Sequence, residues 1–190
     1  MDTTIIQGLV DLEKLDSSLI IDIKYAYDDN FMGKKLYPIN KCVLQLETAK
    51  KLINANNYAK ELGYKLKVLD AYRPLSVQKL MWDTIPDDNF VAPPTRGSKH
   101  NRGCAVDVTL VDFNGRELEM PSPFDDFSIK AWITYNSAPD HQLQNRELLG
   151  KVMVENGFKR IETEWWHFND PDFYKYPLLD ISLENFWERK

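Results

Sequence analysis

Long apolar runs, excess positive charge, cysteine and histidine are all scarce in this sequence, and each shortage excludes something. No apolar stretch approaches the ~20 residues that a membrane-spanning helix needs. The N-terminal stretch MDTTIIQGLVDLEKLD lacks the basic-then-apolar order of a secretory leader. The expected location is therefore cytoplasmic, or periplasmic or lipid-anchored if a leader precedes this stretch. Lys and Arg total 24 against 29 for Asp and Glu, a net charge of −5. That is the wrong sign for a protein that neutralises a phosphate backbone, so nucleic acid is set aside as a partner. The two cysteines, Cys42 and Cys104, lie far apart and form no CxxC pair, which excludes a zinc knuckle or a disulfide framework and predicts buried thiols. Histidine chemistry is confined to His100, His141 and His167.

What is present is an ordinary globular composition, 43% hydrophobic and 28% charged over 190 residues. No repeat, low-complexity tract or Gly/Ser linker divides it, so one domain over residues 1–190 is expected. At this length roughly 70% of the unfolded chain's surface is buried on folding. Such a core needs no metal staple, and a metal here would serve chemistry.

Apolar residues at Leu44, Ala49, Leu52, Ile53, Tyr58, Ala59 and Leu62 recur near the helical period, predicting a helix over Val43–Leu62 stopped by Gly63. Tyr64 to Leu69 alternates apolar and basic residues, a half-buried strand leading into Asp70-Ala71-Tyr72-Arg73-Pro74. Pro74 suits the first turn of a second helix through Ile85, with Val77, Leu80, Met81 and Ile85 on one face. Pro86, Pro93, Pro94 and Gly97 make the following stretch to Lys99 a loop. Ala105–Val111 reads as a strand whose Val106, Val108 and Leu110 share one face, leaving Asp107 on the other among small residues. Asn114-Gly115 signals a tight hairpin with Glu117–Met120 returning. An amphipathic helix over Asn145–Asn156, capped by Gly157, precedes a strand over Phe158–Phe168. Helices mixed with hairpin-joined strands predict an α+β domain, a central, mainly antiparallel sheet with flanking helices.

His100 and Asp107 stand around the strand entry Ser98-Lys99-His100-Asn101-Arg102-Gly103-Cys104-Ala105-Val106-Asp107, and His167 closes Glu164-Trp165-Trp166-His167. Two imidazoles and a carboxylate are a common ligand set for catalytic Zn²⁺, with a fourth position left for water. Each segment alone has a plainer reading, a satisfied histidine or an aromatic strand. Their weight comes from the pairing, because two of three histidines fall in short segments that each carry a carboxylate. Glu164 lies three residues before His167, which on a regular strand would put the two on opposite faces. The strand is therefore expected to end or bulge there, setting Glu164 beside the site as a general base. Arg73 reads either as a donor to a developing oxyanion or as the local partner of Asp70. Tyr72 is expected to pack, His141 to lie at the surface or just behind the site, and Asp125-Asp126 reads on its own as a solvated loop.

The motifs Ser-x-His-x-x-Gly-x-Ala-x-Asp (Ser98, His100, Gly103, Ala105, Asp107) and Glu-x-Trp-His (Glu164, Trp166, His167) resemble those of the zinc D-alanyl-D-alanine dipeptidases of the vancomycin-resistance type. These belong to the wider group of D,D-carboxypeptidase and hedgehog-like zinc proteins. The block Asp70, Tyr72, Arg73 and Pro74 fits the same pattern, as do Lys24-Tyr25-Ala26, Phe124-Asp125 and Asn145-Arg146. The resemblance implies one Zn²⁺ per chain on His100, Asp107 and His167, with Glu164 activating the attacking water and Arg73 over the scissile carbonyl. It also implies that Asp125 and the backbone at Tyr25 hold a substrate ammonium, with Ser98 near the substrate carboxylate. The reaction so implied splits D-alanyl-D-alanine into two D-alanines, in antibiotic resistance or D-alanine recovery. The alternatives within the group are a D,D-carboxypeptidase acting on peptidoglycan stem peptides, a non-enzymatic zinc-binding module, and a peptidase of other stereochemistry. Departures from the pattern are Ala71 for glycine, Lys99 and Cys104 for serines, Phe168 for tyrosine, and the absence of a Ser-His pair after Phe124-Asp125.

Overall fold

The computed structural model describes residues 5–88 and 90–187. In chain order its main elements are β1 (Ile5–Ile6), β2 (Leu9–Asp11), β3 (Ile20–Ile21), β4 (Val43–Gln45), α1 (Leu46–Glu61), β5 (Tyr64–Asp70), α2 (Leu75–Thr84), β6 (Ala105–Asp112), α3 (Asp140–Glu155), β7 (Lys159–Arg160) and β8 (His167–Asn169). The central sheet runs β3-β5-β6-β8-β7, and only the β3/β5 pairing is parallel. A smaller antiparallel sheet, β1-β2-β4, lies beside it. This is the expected α+β arrangement. Val106, Val108 and Leu110 on β6 join Leu66 and Val68 of β5 and Leu52, Leu149 and Val152 of the helices in one continuous core.

The differences from expectation have identifiable causes. Val43–Gln45 is a strand rather than the first turn of the helix, because all three residues are buried and pair with β2. A short apolar run fits either state until a partner strand is present. The third helix starts at Asp140, five residues early by the apolar pattern, since its first turn (Asp140, His141, Gln142) is polar and outward-facing. The segment after Asn114-Gly115 makes one bridge, Glu117 to Val111, and Leu118 donates to the Leu110 carbonyl. Pro121 and Pro123 then supply no ladder donors, and no strand continues to Met120. The stretch expected as one strand over Phe158–Phe168 is two short antiparallel strands, β7 and β8, with residues 161–166 looping between them. On α2 the buried face carries Gln78 and Met81, while Leu80 is exposed.

Candidate active site

The site is built on three neighbouring strands. Asp107 of β6 lies directly across from His167 of β8 and from Asp70 of β5. The last alignment exists because β5 carries a bulge between Val68 and Asp70. Regular pairing would set Asp70 opposite Val106 on the core face, and the extra residue turns it to the face of Asp107. His100 arrives from the 3₁₀ turn His100–Arg102, which Gly103 ends at φ 68°. A Cβ on Gly103 would lie 2.5 Å from Leu9 Cδ2, so both the dihedral and the close approach demand glycine. The Arg73 amide donates to the His100 carbonyl, and Asn101 Nδ2 donates to the Arg73 carbonyl, joining the end of β5 to this turn.

His100 Nε2, His167 Nδ1 and Asp107 Oδ1 form a triangle with sides of 3.1, 3.0 and 3.4 Å. Donors about 2.0–2.1 Å from a tetrahedral metal stand about 3.3 Å apart, so the set fits a zinc-sized ion. The distal nitrogens are committed elsewhere. His100 Nδ1 lies 2.7 Å from the Ala71 carbonyl oxygen and His167 Nε2 lies 2.9 Å from Asn169 Oδ1. With these acceptors at the distal nitrogens, a neutral ring that carries its proton there offers the other nitrogen's lone pair to the triangle. Burial opposes charge on Asp107, yet the two histidines hold its carboxyl well below the usual range. It is a permanent anion at neutral pH.

All eight residues singled out from the sequence, Tyr25, Arg73, Ser98, His100, Asp107, Asp125, Glu164 and His167, line one cavity of about 260 Å³. Glu164, in the β7–β8 loop, sets Oε2 3.7 Å from His167 Nδ1, outside the donor triangle. Burial, reinforced by Asp107, raises its pKa, while His167 opposes the rise. Arg73 combines both of its sequence readings. Its Nη2 donates to Asp70 Oδ2 at 2.7 Å while the side chain also faces the cavity. Burial acts to discharge the guanidinium, and Asp70 more than reverses this. Asp125 is not a solvated loop residue. Its backbone is left-handed (φ 60°) and its carboxylate accepts from the Tyr25 hydroxyl at 3.0 Å. Burial, then the charge of Asp107, pushes the Asp125 carboxyl well up. The Tyr25 carbonyl already accepts the Leu36 and Tyr37 amides, which leaves the hydroxyl as its group at Asp125. Ser98 Oγ accepts from the His100 amide and so also shapes the turn. His141 is exposed and pairs with Glu119, and Tyr72 is buried with its hydroxyl accepting from the Ile181 amide. Gln78, which also lines the cavity, escaped the sequence reading. Its one signal was a polar residue at the spacing of Met81 and Ile85 on an otherwise apolar face.

Convergent metal-type donors flanked by a half-buried carboxylate and a guanidinium are the equipment of hydrolytic chemistry at a carbonyl. Residues 6–183 match the Peptidase_M15 family model, described as D-ala-D-ala dipeptidase, and the chain belongs to this peptidase family. It is 39% identical over 178 residues to a D-alanyl-D-alanine dipeptidase of Escherichia coli (strain K12), covering 94% of this chain and 91% of the relative. A protein of the same name from Enterococcus faecalis (strain ATCC 700802 / V583) is 32% identical, with 85% of this chain and 90% of the relative covered. Among solved structures, a vancomycin-resistance D,D-pentapeptidase, VanY, in complex with Zn(II), aligns with a TM-score of 0.49 at 15% identity, over 71% of this chain and 76% of that one. No helix among the described residues is long and apolar enough to cross a membrane.

Proposed function

We propose that this peptidase hydrolyses D-alanyl-D-alanine to two D-alanines with one zinc ion per chain on His100, Asp107 and His167. The observation that carries the reading is the enclosure, in one cavity of about 260 Å³, of the donor triangle, Glu164, Arg73 and the Asp125–Tyr25 pair. That volume lies below the usual range for drug-sized ligands and suits a very small substrate. Zinc in this place supplies Lewis-acid polarisation of the scissile carbonyl and of the attacking water. Glu164 takes the water's proton on its carboxylate and delivers it to the leaving amine nitrogen, a double duty favoured by its burial-raised pKa. Arg73 faces the negative charge that develops on the carbonyl oxygen, where one donor contributes about 3 to 4 kcal/mol. Asp125, half-buried in the cavity wall and hydrogen-bonded to the Tyr25 hydroxyl, takes the substrate ammonium together with that hydroxyl, and Ser98 lies toward the substrate carboxylate. An acylated amine brings no positive charge and would bind beside Asp125 without the ammonium that this carboxylate is placed to receive, so free dipeptides are preferred. The names of the relatives support this choice of substrate.

The test is metal analysis together with D-alanine release, on wild type and Glu164→Gln, from D-Ala-D-Ala and from an N-acylated peptide ending in it. Both proteins are expected to hold one zinc per chain. Wild type should favour the free dipeptide, and Glu164→Gln should lose roughly 10²–10⁴ in kcat. Faster turnover of the acylated peptide would replace the dipeptidase reading with a D,D-carboxypeptidase. Full activity in Glu164→Gln would remove the proton-transfer role.

A further inference from the structure

Two side chains hold the guanidinium of Arg73 from within. Asp70 accepts from Nη2, and Gln78 Oε1 accepts from Nη1 at 2.9 Å. Asp70 is shared, since its Oδ1 also accepts from the Tyr37 hydroxyl at 2.8 Å and the Ala71 amide at 2.9 Å. Gln78 reaches in the other direction. Its Nε2 donates to the Ala92 carbonyl at 2.8 Å, in the loop whose Phe90 and Val91 line the cavity. Gln78 is fully buried on α2, at a place that the helical period reserves for an apolar residue. A buried amide there is tolerable because both of its ends are satisfied. The chemistry of the acceptor also matters. A carboxylate would hold Nη1 equally well but, with Asp70, would set two anions against one guanidinium, and an aliphatic side chain would leave Nη1 without an acceptor. Arg73 Nε is already buried with no protein partner.

We infer that Gln78 is a positioning residue for the peptidase reaction, orienting Arg73 through Nη1 and tying that orientation to the cavity-lining loop at Ala92, while adding no second anion beside Asp70. The inference rests on the assignment of Arg73 to the developing oxyanion. It is tested with Gln78→Met and Gln78→Glu beside Arg73→Ala, by measuring kcat and KM for D-Ala-D-Ala, zinc content, and the affinity of a phosphinate analogue of the dipeptide. The phosphinate presents a tetrahedral anion and so reports on transition-state complementarity. Both Gln78 variants are expected to keep stoichiometric zinc and a KM within about threefold of wild type, with kcat down about tenfold or more and phosphinate affinity down in parallel. Gln78→Glu, near-isosteric, carries the test if Gln78→Met does not fold. Wild-type kcat and phosphinate affinity in the folded variants overturn the inference, because a purely structural glutamine changes melting temperature and folded fraction without touching either. Arg73→Ala separates the two levels. If it is inactive while the Gln78 variants are normal, only the positioning role falls; if it is fully active, the oxyanion assignment falls and this inference with it.

Discussion

Asp107 faces His167 across one strand boundary and Asp70 across the other, and His100 Nδ1 lies 3.7 Å from Asp70 Oδ2, so the donor triangle stands beside the network that holds Arg73. Charges at this spacing are coupled, and replacing one changes its neighbours as well as itself. The thiols contrast with this cluster. Cys104 stands between two proposed ligands in sequence, yet burial pushes its thiol up to about 12, and burial raises Cys42 well above the ordinary thiol value. A raised thiol pKa means a neutral, unreactive sulfur at pH 8. Native protein treated with iodoacetamide at pH 8 should therefore stay unlabelled at both cysteines, and the unfolded chain should take up two labels. Rapid labelling of native Cys104, read by peptide mass, would contradict its placement. The parity of residues along the strand already set Cys104 apart from Asp107 in the sequence, whereas the depth of its burial depends on packing from α1 and residues after β8.

At the scale of elements, the site depends on how chain segments end. Gly103 ends the His100 turn, and its carbonyl accepts the Gln45 amide at the start of α1, so the turn, the small sheet and the first helix meet at one residue. Gly103→Ala would require an unfavourable left-handed alanine and a Cβ 2.5 Å from Leu9. The expected cost is about 1–3 kcal/mol. For a chain of this size each kcal/mol lowers the melting temperature by roughly 2–4 °C. Zinc affinity should fall as well, since His100 shifts relative to Asp107. A thermal melt and a zinc titration on the variant check both, and an unchanged melt would show that the neighbours yield freely. The β7–β8 loop is the second such ending. The odd spacing of Glu164 and His167 required the strand to break, and the structure supplies a reversal between two short strands. Periodicity foresaw the interruption, but not the antiparallel return, because only a partner strand specifies that.

For the molecule as a whole, the core is held by apolar packing, with Val106, Val108 and Leu110 on the face of β6 opposite Asp107, while Tyr25, Met81, Val91 and Trp166 of the same core also line the cavity. Folding should therefore survive removal of the metal. After chelation the protein is expected to keep its far-UV circular dichroism and to melt cooperatively at a lower temperature. At a hundredfold excess of zinc over its dissociation constant, the bound ion adds about 2.7 kcal/mol. Loss of a cooperative transition on chelation would mean that the ion holds the fold together.

Much of this protein can be read along the chain because its chemistry is written in short segments. His100 and Asp107 lie within one turn and strand, Glu164 and His167 within four residues, and the strands and helices that carry them follow from local periodicity and from glycine and proline stops. The relation between those segments is another matter. The bulge that turns Asp70 toward Asp107, the aim of Asp125 into the cavity and the pairing of Val43–Gln45 as a strand each need a partner distant in sequence. Periodicity reports which faces of an element are apolar. Register and burial are set by the free energy of packing between elements, and that energy exists only once the chain has folded on itself.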